Sequence, residues 1–283
     1  MMNRKLAIVA TLAAATLALG ACGSSSSSGA SGSAAAGDAV TLKVGVNPVP
    51  HGDILKFVKD NLAAKAGLNI DIVEYSDYVL PNKNLDNGQL DANYFQHLPY
   101  YESQVKEFGY KFEHGEGVHI EPYAVYSKKV KDLKDLPDGA TISIVNDPAN
   151  QNRALVLLAK QGLITVDEGK KDLTIHDVKD NPKHISFQEI EAPNLPRTLD
   201  SVDASVINGN FALQGGLTPS KDAIALEDGK DNPYANFLAW KADAPAEKKA
   251  AVKKLDELLH SPEVAKFIKD KYADGAVIPA FGN

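Results

Sequence analysis

The sequence predicts an α/β protein of two lobes. Runs in which apolar residues alternate with polar ones are followed by stretches with apolar residues at helical spacing, and this order recurs along the chain. The length of 283 residues corresponds to two domains of ~150 residues each. Hydrophobic residues make up 44% of the chain and charged residues 24%, which provides enough apolar material for a sizeable core.

The first βαβ unit spans residues 40–72. Its opening strand alternates apolar and polar residues and ends at the turn-forming segment 47–52. A stripe of apolar residues between Ile54 and Leu62 marks a helix, and Gly67 suits the cap after it. Alternating apolar residues then return and mark the second strand.

A further strand is predicted over residues 90–95, within an aromatic segment. Residues 88–101 read GQLDANYFQHLPYY in a chain that is only 7% aromatic. Such a run fits a strand and a helix packed into the core, and it also fits the wall of a ligand pocket. Asn93, Gln96 and His97 lie among the rings and need hydrogen-bond partners if buried, which favours the pocket. Ligands of open α/β sheets bind beyond the carboxyl ends of strands, where Gln96 and His97 lie.

A second set of strand and helix signals follows. A strand-like run at 121–126 precedes a strand at 140–145 and a helix over 148–161, with Arg153 in the first half of that helix. The remaining predicted elements are strands at 185–189, 205–207 and 223–226, helices near 195–202 and 211–215, a strand-like segment at 233–238, and two terminal helices that start at Pro245 and Ser261.

This order indicates that the chain leaves a first lobe, builds a second one and then returns. We expect lobe 1 to consist of residues 39–123 together with 235–283, and lobe 2 of residues 124–234. Two connections between lobes form a hinge, so the cleft between the lobes can close on a ligand in the manner of periplasmic binding proteins.

The first 38 residues predict export and attachment to a membrane. Arg4 and Lys5 precede a short apolar stretch, and Leu19-Gly20-Ala21-Cys22 resembles a lipobox. Residues 1–21 are therefore expected to be a lipoprotein signal peptide, with lipidation at Cys22 and the protein facing the extracytoplasmic side of the cell membrane. Residues 22–38 are mainly Ser, Gly and Ala, which indicates a flexible tether. An ordinary secretory signal with an incidental cysteine is the alternative.

Five segments carry a family resemblance, and two more follow them. They are LDANYFQHLPYY in the aromatic segment, VNPVPHGDIL from Val46, DYVLPN from Asp77, NDPANQNRAL from Asn146 and EAPNLPRTLD from Glu191, and SVIN and GLTPSKDAI follow them. Together they resemble the methionine-binding lipoprotein family, the substrate-capturing component of methionine ABC importers. The resemblance covers the chain from about residue 40 to its end. One position departs from the family pattern, since Asn152 stands where glycine is usual.

The resemblance implies a fold, a ligand and partners. The fold is a type II-like periplasmic-binding-protein fold with the ligand cleft between its lobes and two crossover segments. The ligand is methionine, with the D form left open beside the L form, and the partners are an ABC transporter permease with its ATPase and the membrane through the N-terminal lipid. No cofactor and no metal is expected. The implied ligand-binding residues are Tyr78, Phe95, His97, Tyr100, Arg153, Asn208 and Asn236.

The chemistry of these residues suits an amino acid but leaves alternatives. The guanidinium of Arg153 can hold a carboxylate, although a surface salt bridge is the other interpretation. The side-chain oxygens of Asn208 and Asn236 can accept from an ammonium group, while Asn208 before a glycine also fits a turn. Aromatic rings suit a thioether, but they accept other apolar side chains too, so the choice of methionine depends on the resemblance.

Other functions are less well supported by the sequence. A formal charge of −7 argues against nucleic acid as a partner, and the single cysteine excludes an internal disulfide bond. A lipid-anchored hydrolase could use His97 or His119, but the chain has neither a G-x-S-x-G nor an H-E-x-x-H motif. His114 and His119 with Glu113 and Glu116 could suggest a metal site, but glycines between them indicate a loop. The same fold with another small amino acid as ligand remains open.

Overall fold

The computed structural model describes residues 39–167, 169–230 and 232–282. The predicted signal peptide, Cys22 and the tether lie outside these described residues. None of the helices in the described part combines the length and the apolar character that crossing a bilayer requires.

Strands and helices alternate along most of the chain. The strands are β1 (Val40–Val46), β2 (Leu68–Glu74), β3 (Ala92–His97), β4 (Phe112–His114), β5 (His119–Ile120), β6 (Ala124–Tyr126), β7 (Thr141–Val145), β8 (Thr165–Val166), β9 (Val178–Asp180), β10 (Ser186–Ile190), β11 (Ala204–Ile207), β12 (Ala223–Leu226), β13 (Asn236–Lys241) and β14 (Ile278–Pro279). The helices are α1 (Asp53–Asn61), α2 (Leu80–Asp86), α3 (Leu98–Phe108), α4 (Pro148–Lys160), α5 (Leu195–Thr198), α6 (Gly209–Gln214), α7 (Pro219–Asp222), α8 (Ala246–Leu259) and α9 (Pro262–Lys271).

The first sheet has the strand order β14-β5-β13-β3-β1-β2, and β4 also pairs with β13. β1 runs parallel to both β2 and β3, as the predicted βαβ unit requires, and β13 runs antiparallel to β3. Apolar side chains from this sheet and from α1, α8 and α9 form one core, in which Leu42, Val44, Ile54, Leu255 and Ile268 are fully buried. This core supports the edge of the sheet at which β1 and β3 end.

The second sheet has the strand order β10-β7-β11-β6-β12. β7 runs parallel to β10 and β11, whereas β6 is antiparallel to β11 and β12. Its core includes the fully buried Ile142, Ile144 and Val206 from the strands and Leu155 and Leu158 from α4. α4 begins where the sequence predicts it, because the carboxylate of Asp147 accepts a 2.9 Å hydrogen bond from the amide of Asn150.

The chain passes from one sheet to the other twice. The first connection lies between β5 and β6 and the second between β12 and β13. The two-lobe α/β fold expected from the sequence is therefore confirmed. The lobe boundaries at 123/124 and 234/235 fall within or beside these connections and stay a prediction.

Candidate ligand-binding site

A cavity lies between elements of the two lobes, and the space not filled by protein atoms there, including solvent at its opening, is about 350 Å³. All seven ligand-binding residues implied by the family resemblance line it. Phe95 and His97 come from β3, Tyr78 precedes α2, Tyr100 lies in α3, Arg153 lies in α4, Asn208 precedes α6 and Asn236 opens β13. The cavity is also lined by Gln96, which the sequence placed at the expected pocket, and by five residues that it did not single out, His51, Glu121, Asn150, Gly209 and Asn210.

His97 is fixed by the local structure at the junction of β3 and α3. As the N-cap of α3 it accepts a 3.2 Å hydrogen bond from the amide of Tyr100 at Nδ1, which leaves Nε2 to donate to Oδ1 of Asn150 at 3.0 Å. Burial, together with the nearby charge of Arg153, lowers the pKa of His97 to about 3. His97 is therefore a neutral group in the cavity wall at physiological pH.

The oxygen of Asn150 also accepts a 2.9 Å hydrogen bond from the side-chain amide of Asn208. Since His97 belongs to the first sheet and Asn208 follows the second, this one oxygen joins the two lobes beside the cavity. Asn208 in turn accepts from the hydroxyl of Tyr123 at 3.3 Å. Asn208 is thus a buried member of a hydrogen-bond network rather than an exposed turn residue.

Three aromatic rings form one wall of the cavity. The centroids of Tyr78 and Tyr100 are 5.7 Å apart, those of Tyr78 and Phe95 are 6.1 Å apart, and those of Phe95 and Tyr100 are 6.0 Å apart. Two hydrogen bonds hold the wall, from the Tyr100 hydroxyl to the Tyr78 carbonyl at 3.0 Å and from the Tyr78 hydroxyl to Asn210 at 2.6 Å. The wall is apolar, polarizable and fixed in place.

Arg153 is buried and paired, so it does not form the surface salt bridge that was the alternative interpretation. Its Nε and Nη2 donate to the carboxylate of Glu227 at 3.1 and 2.5 Å, and Nη2 also donates to the backbone carbonyl of Glu121 at 2.9 Å. The ring of Tyr234 lies 4.0 Å from the guanidinium carbon and the ring of Tyr123 lies 5.0 Å from it. Nη1 forms no hydrogen bond within the described residues.

Glu121 and His51, which line the cavity, form a buried cluster with His119. His119 Nε2 donates to Glu121 Oε1 at 2.9 Å, and His51 Nε2 lies 3.1 Å from Oδ1 of Asn236 and 3.4 Å from Glu121 Oε1. Burial lowers the pKa of His51 to about 4 and that of His119 to about 3, and it raises the pKa of Glu121. The two histidines of the cluster are therefore neutral at physiological pH.

The same three side chains could hold a metal ion, because their donor atoms lie within 4.8 Å of one another. Each already has a polar partner, since Asn236 faces His51 and the hydroxyl of Tyr94 bonds to Nδ1 of His119. A hydrogen-bond network therefore accounts for the arrangement. His114, the other histidine considered from the sequence, is exposed and does not join this cluster.

The model of the NlpA lipoprotein family matches residues 42–281. The chain belongs to the NlpA lipoprotein family. Among its curated relatives, the methionine-binding lipoprotein MetQ of Bacillus subtilis is 43% identical over 241 residues, which are 83% of this chain and 86% of that protein.

Solved structures of family members show the same fold. A lipoprotein from Actinomyces odontolyticus is 53% identical with a TM-score of 0.83, and the match covers 86% of this chain and 100% of that one. A nutrient-binding protein from Burkholderia cenocepacia, solved bound to methionine, is 46% identical with a TM-score of 0.80, and the match covers 85% of this chain and 100% of that one.

Asn152, the departure from the family pattern, lies away from the cavity. Its side-chain oxygen accepts a 3.1 Å hydrogen bond from the amide of Leu173 on the outer side of α4. The half-buried Asn152 is absent from the cavity lining, whereas its neighbours Gln151 and Arg153 are buried. The departure therefore leaves the cavity wall unchanged.

Proposed function

We propose that this NlpA lipoprotein is a lipid-anchored solute-binding protein that captures methionine and delivers it to an ABC permease. One observation supports this proposal above the others. The seven residues implied by the family resemblance, which are scattered from position 78 to position 236 of the sequence, line a single cavity between the lobes.

The cavity offers a suitable group to each part of an amino acid. We assign the carboxylate of the guest to the free Nη1 end of Arg153, because a guanidinium forms charge-assisted hydrogen bonds with carboxylates. We assign its ammonium group to side-chain oxygens of Asn208, Asn236 and Glu121, all three of which line the cavity. Glu121 was not identified from the sequence.

We assign the thioether of methionine to the wall formed by Tyr78, Phe95 and Tyr100. Sulfur next to aromatic rings gains about 0.3–1.5 kcal/mol per contact. The same wall accepts other apolar side chains, so a different amino acid is the second candidate ligand. Methionine is preferred because the Burkholderia cenocepacia relative, with the same fold and 46% identity, was solved bound to it.

The remaining parts of the proposal concern attachment and partners. Cys22 is the proposed lipidation site, residues 1–21 the signal peptide and residues 22–38 the tether. The lipid holds the protein on the extracytoplasmic face of the membrane, beside a permease and its ATPase that take over the ligand. The protein itself performs no chemical step on methionine.

Calorimetry on the purified full-length chain tests the ligand. The chain is first unfolded and refolded to remove any ligand that was purified with it, and it is then titrated with L-methionine, D-methionine and other amino acids. We expect methionine to bind one to one and to be recovered unchanged. Absence of binding to methionine together with clear binding of another amino acid would refute the ligand and leave the solute-binding role intact.

Labelling with a palmitate analogue tests the anchor. The wild-type chain should incorporate the label and sediment with membranes, whereas Cys22→Ser should do neither. Labelled lipid in the Cys22→Ser variant would show that the attachment site lies elsewhere. Methionine uptake by the reconstituted permease and ATPase, with and without this protein, tests delivery.

A further inference from the structure

The carboxylate of Glu227 does not line the cavity itself but binds Arg153, which does. Glu227 follows β12 directly, at the start of the second connection between the lobes. Its side chain is 14% exposed and that of Arg153 is 5% exposed, so the pair is largely removed from water. Glu227 Oε2 also accepts from the backbone amide of Tyr123 at 3.1 Å and from Asn232 at 2.9 Å.

These bonds use one side of the guanidinium and leave the other side free. Nε and Nη2 of Arg153 point at Glu227, and the remaining end, Nη1, is available to a ligand in the cavity. Because a guanidinium is planar, fixing one edge of it also fixes the direction of the other. Tyr234 packs against its face at 4.0 Å and limits rotation further.

Glu227 also balances the charge of Arg153. Burial raises the pKa of Glu227, but hydrogen bonding to Arg153, the charge of Arg153 and the hydrogen bonds from Asn232 and Tyr123 outweigh burial, so the pKa lies below its ordinary value. Glu227 is therefore ionised at neutral pH and the pair as a whole carries no net charge. A carboxylate that enters the cavity meets a directed donor but little net positive charge.

We propose that Glu227 is a positioning and specificity residue that makes the site select a zwitterion over an anion. This inference rests on the proposed function as an amino-acid-binding protein. A ligand with a carboxylate alone is repelled by Glu227, while a ligand with an ammonium group as well is attracted to it. Arg153 donates hydrogen bonds to the carboxylate of the ligand. Glu227 sets how much of the positive charge of Arg153 acts on that ligand.

The variant Glu227→Gln tests the charge of Glu227 because glutamine has nearly the same shape. We compare three ligands with one side chain: methionine, 4-(methylsulfanyl)butanoate without the amino group, and protonated methioninamide without the carboxylate. In Glu227→Gln the anion should bind about tenfold tighter or more, because the charge of Arg153 is no longer balanced. The cation should bind about tenfold weaker, and the zwitterion should change less than either.

This pattern of opposite signs distinguishes specificity from a structural role. A binding site that is merely damaged would lose affinity for all three ligands. An anion that binds Glu227→Gln no tighter than wild type, or an equal loss for all three ligands, would overturn the proposal. Glu227→Asp, which keeps the charge on a shorter side chain, should retain the preference for the zwitterion with lower affinity overall.

The matched control is Glu189→Gln, which changes the net charge of the chain by the same amount. Glu189 is an exposed residue of β10 that accepts a 2.7 Å hydrogen bond from Gln151, and it does not line the cavity. All three affinities should stay within about twofold of wild type in this variant, because its charge is screened by solvent. Urea unfolding followed by the fluorescence of Trp240 checks that each variant is folded.

Failure of the proposed ligand gives a different result from failure of this inference. If wild type binds another amino acid instead of methionine, the three charge forms of that amino acid replace those of methionine, and the role of Glu227 is tested unchanged. If no α-amino acid binds, the proposed function and the role of Glu227 are both refuted.

Discussion

The hydroxyl of Tyr78 donates a 2.6 Å hydrogen bond to Oδ1 of Asn210, a residue 132 positions further along the chain. Tyr78 follows β2 of the first sheet, and Asn210 lies in α6 next to the second sheet. The bond therefore joins the two lobes at the edge of the cavity. Because Tyr78 also belongs to the aromatic wall, the contact between lobes and the proposed contact with the ligand share one side chain.

Tyr78→Phe should weaken ligand binding more than it weakens the fold. The change removes only the hydroxyl, so the ring stays in the wall while the hydrogen bond between the lobes is lost. We expect methionine to bind about fivefold to tenfold more weakly, since a neutral hydrogen bond contributes about 1 kcal/mol. Calorimetry measures the affinity, and urea unfolding should show a smaller change.

The control for this prediction is Tyr110→Phe. Tyr110 stacks on Phe112 at 4.9 Å and its hydroxyl forms no hydrogen bond with the described residues. Its loss should leave binding as it is. An affinity of Tyr78→Phe equal to that of Tyr110→Phe would mean that the bond to Asn210 does not contribute to binding.

Arg153→Lys should lower the affinity for methionine about a hundredfold, although it keeps the positive charge. A single ammonium group cannot donate to Glu227, to the carbonyl of Glu121 and to a ligand in the directions that the guanidinium allows. Calorimetry measures the loss, and Arg197→Lys at an exposed position of α5 is the control. Binding of Arg153→Lys within a few fold of wild type would show that charge alone is sufficient.

Gly209→Ala should disturb Glu121 without breaking the fold. A methyl group on Gly209 would come within 2.7 Å of Cβ and 2.9 Å of Oε2 of Glu121, so that side chain has to move. We expect a loss of stability of about 1–3 kcal/mol and, because Glu121 is displaced, a larger effect on binding of about tenfold or more.

The matched change at Gly169 separates these effects. A methyl group there would meet only the Asp167 carboxylate, at an ordinary 3.6 Å, so Gly169→Ala should affect neither binding nor stability. Unchanged methionine affinity in Gly209→Ala, measured by calorimetry, would remove Glu121 from the proposed site.

Acid should destabilise the protein through its buried histidines. The pKa of His51, His97 and His119 lies at about 4, 3 and 3 in the folded chain and at an ordinary value of 6.5 when exposed to water. Below pH 6.5 the unfolded chain therefore binds protons that the folded chain does not. The stability that these residues contribute is fully present above pH 6.5 and is lost as the pH falls towards 4. Asp147, whose pKa burial raises to about 6, acts in the opposite direction between pH 6 and 4.

His97→Asn tests this effect because asparagine can still cap α3. The fall in unfolding free energy between pH 7 and pH 5 should shrink by about 2 kcal/mol in this variant. Urea unfolding at both pH values measures it, with His176→Asn at an exposed site as the control. A fall of the same size in His97→Asn and in wild type would contradict the assignment of a neutral, buried His97.

The sequence predicted most local elements from short patterns, and the family resemblance pointed to seven of the residues that line the cavity. Strand alternation explains how the aromatic segment serves two purposes, since Tyr94 packs into the core of the first lobe while Phe95 lines the cavity. The core interpretation therefore holds for Tyr94, while contact between Phe95 and a ligand stays a prediction. The strand spans Ala92–His97, so it begins and ends two residues later than the predicted 90–95.

Contacts between residues far apart in the sequence could not be predicted from such local patterns. The partner of Arg153, Glu227, lies 74 residues away, and His51 meets Asn236 across 185 residues. No local sequence pattern connects such pairs. In the sequence, these polar residues look the same as polar residues at the surface. β13 was also predicted three residues too early, since Pro233 has no N–H for a strand ladder and pairing starts only at Asn236.

The position of β13 in the first sheet determines the order in which the chain can assemble. β13 lies between β3 and β5, yet it is made of residues 236–241, so β3 lacks its second neighbour until most of the protein has been synthesised. The sheet of the second lobe needs only residues 124–226. The second lobe can therefore complete its sheet before the first lobe can. Translation that stops before Asn236 yields a polypeptide whose first sheet has an unpaired edge at β3, and such an edge promotes aggregation.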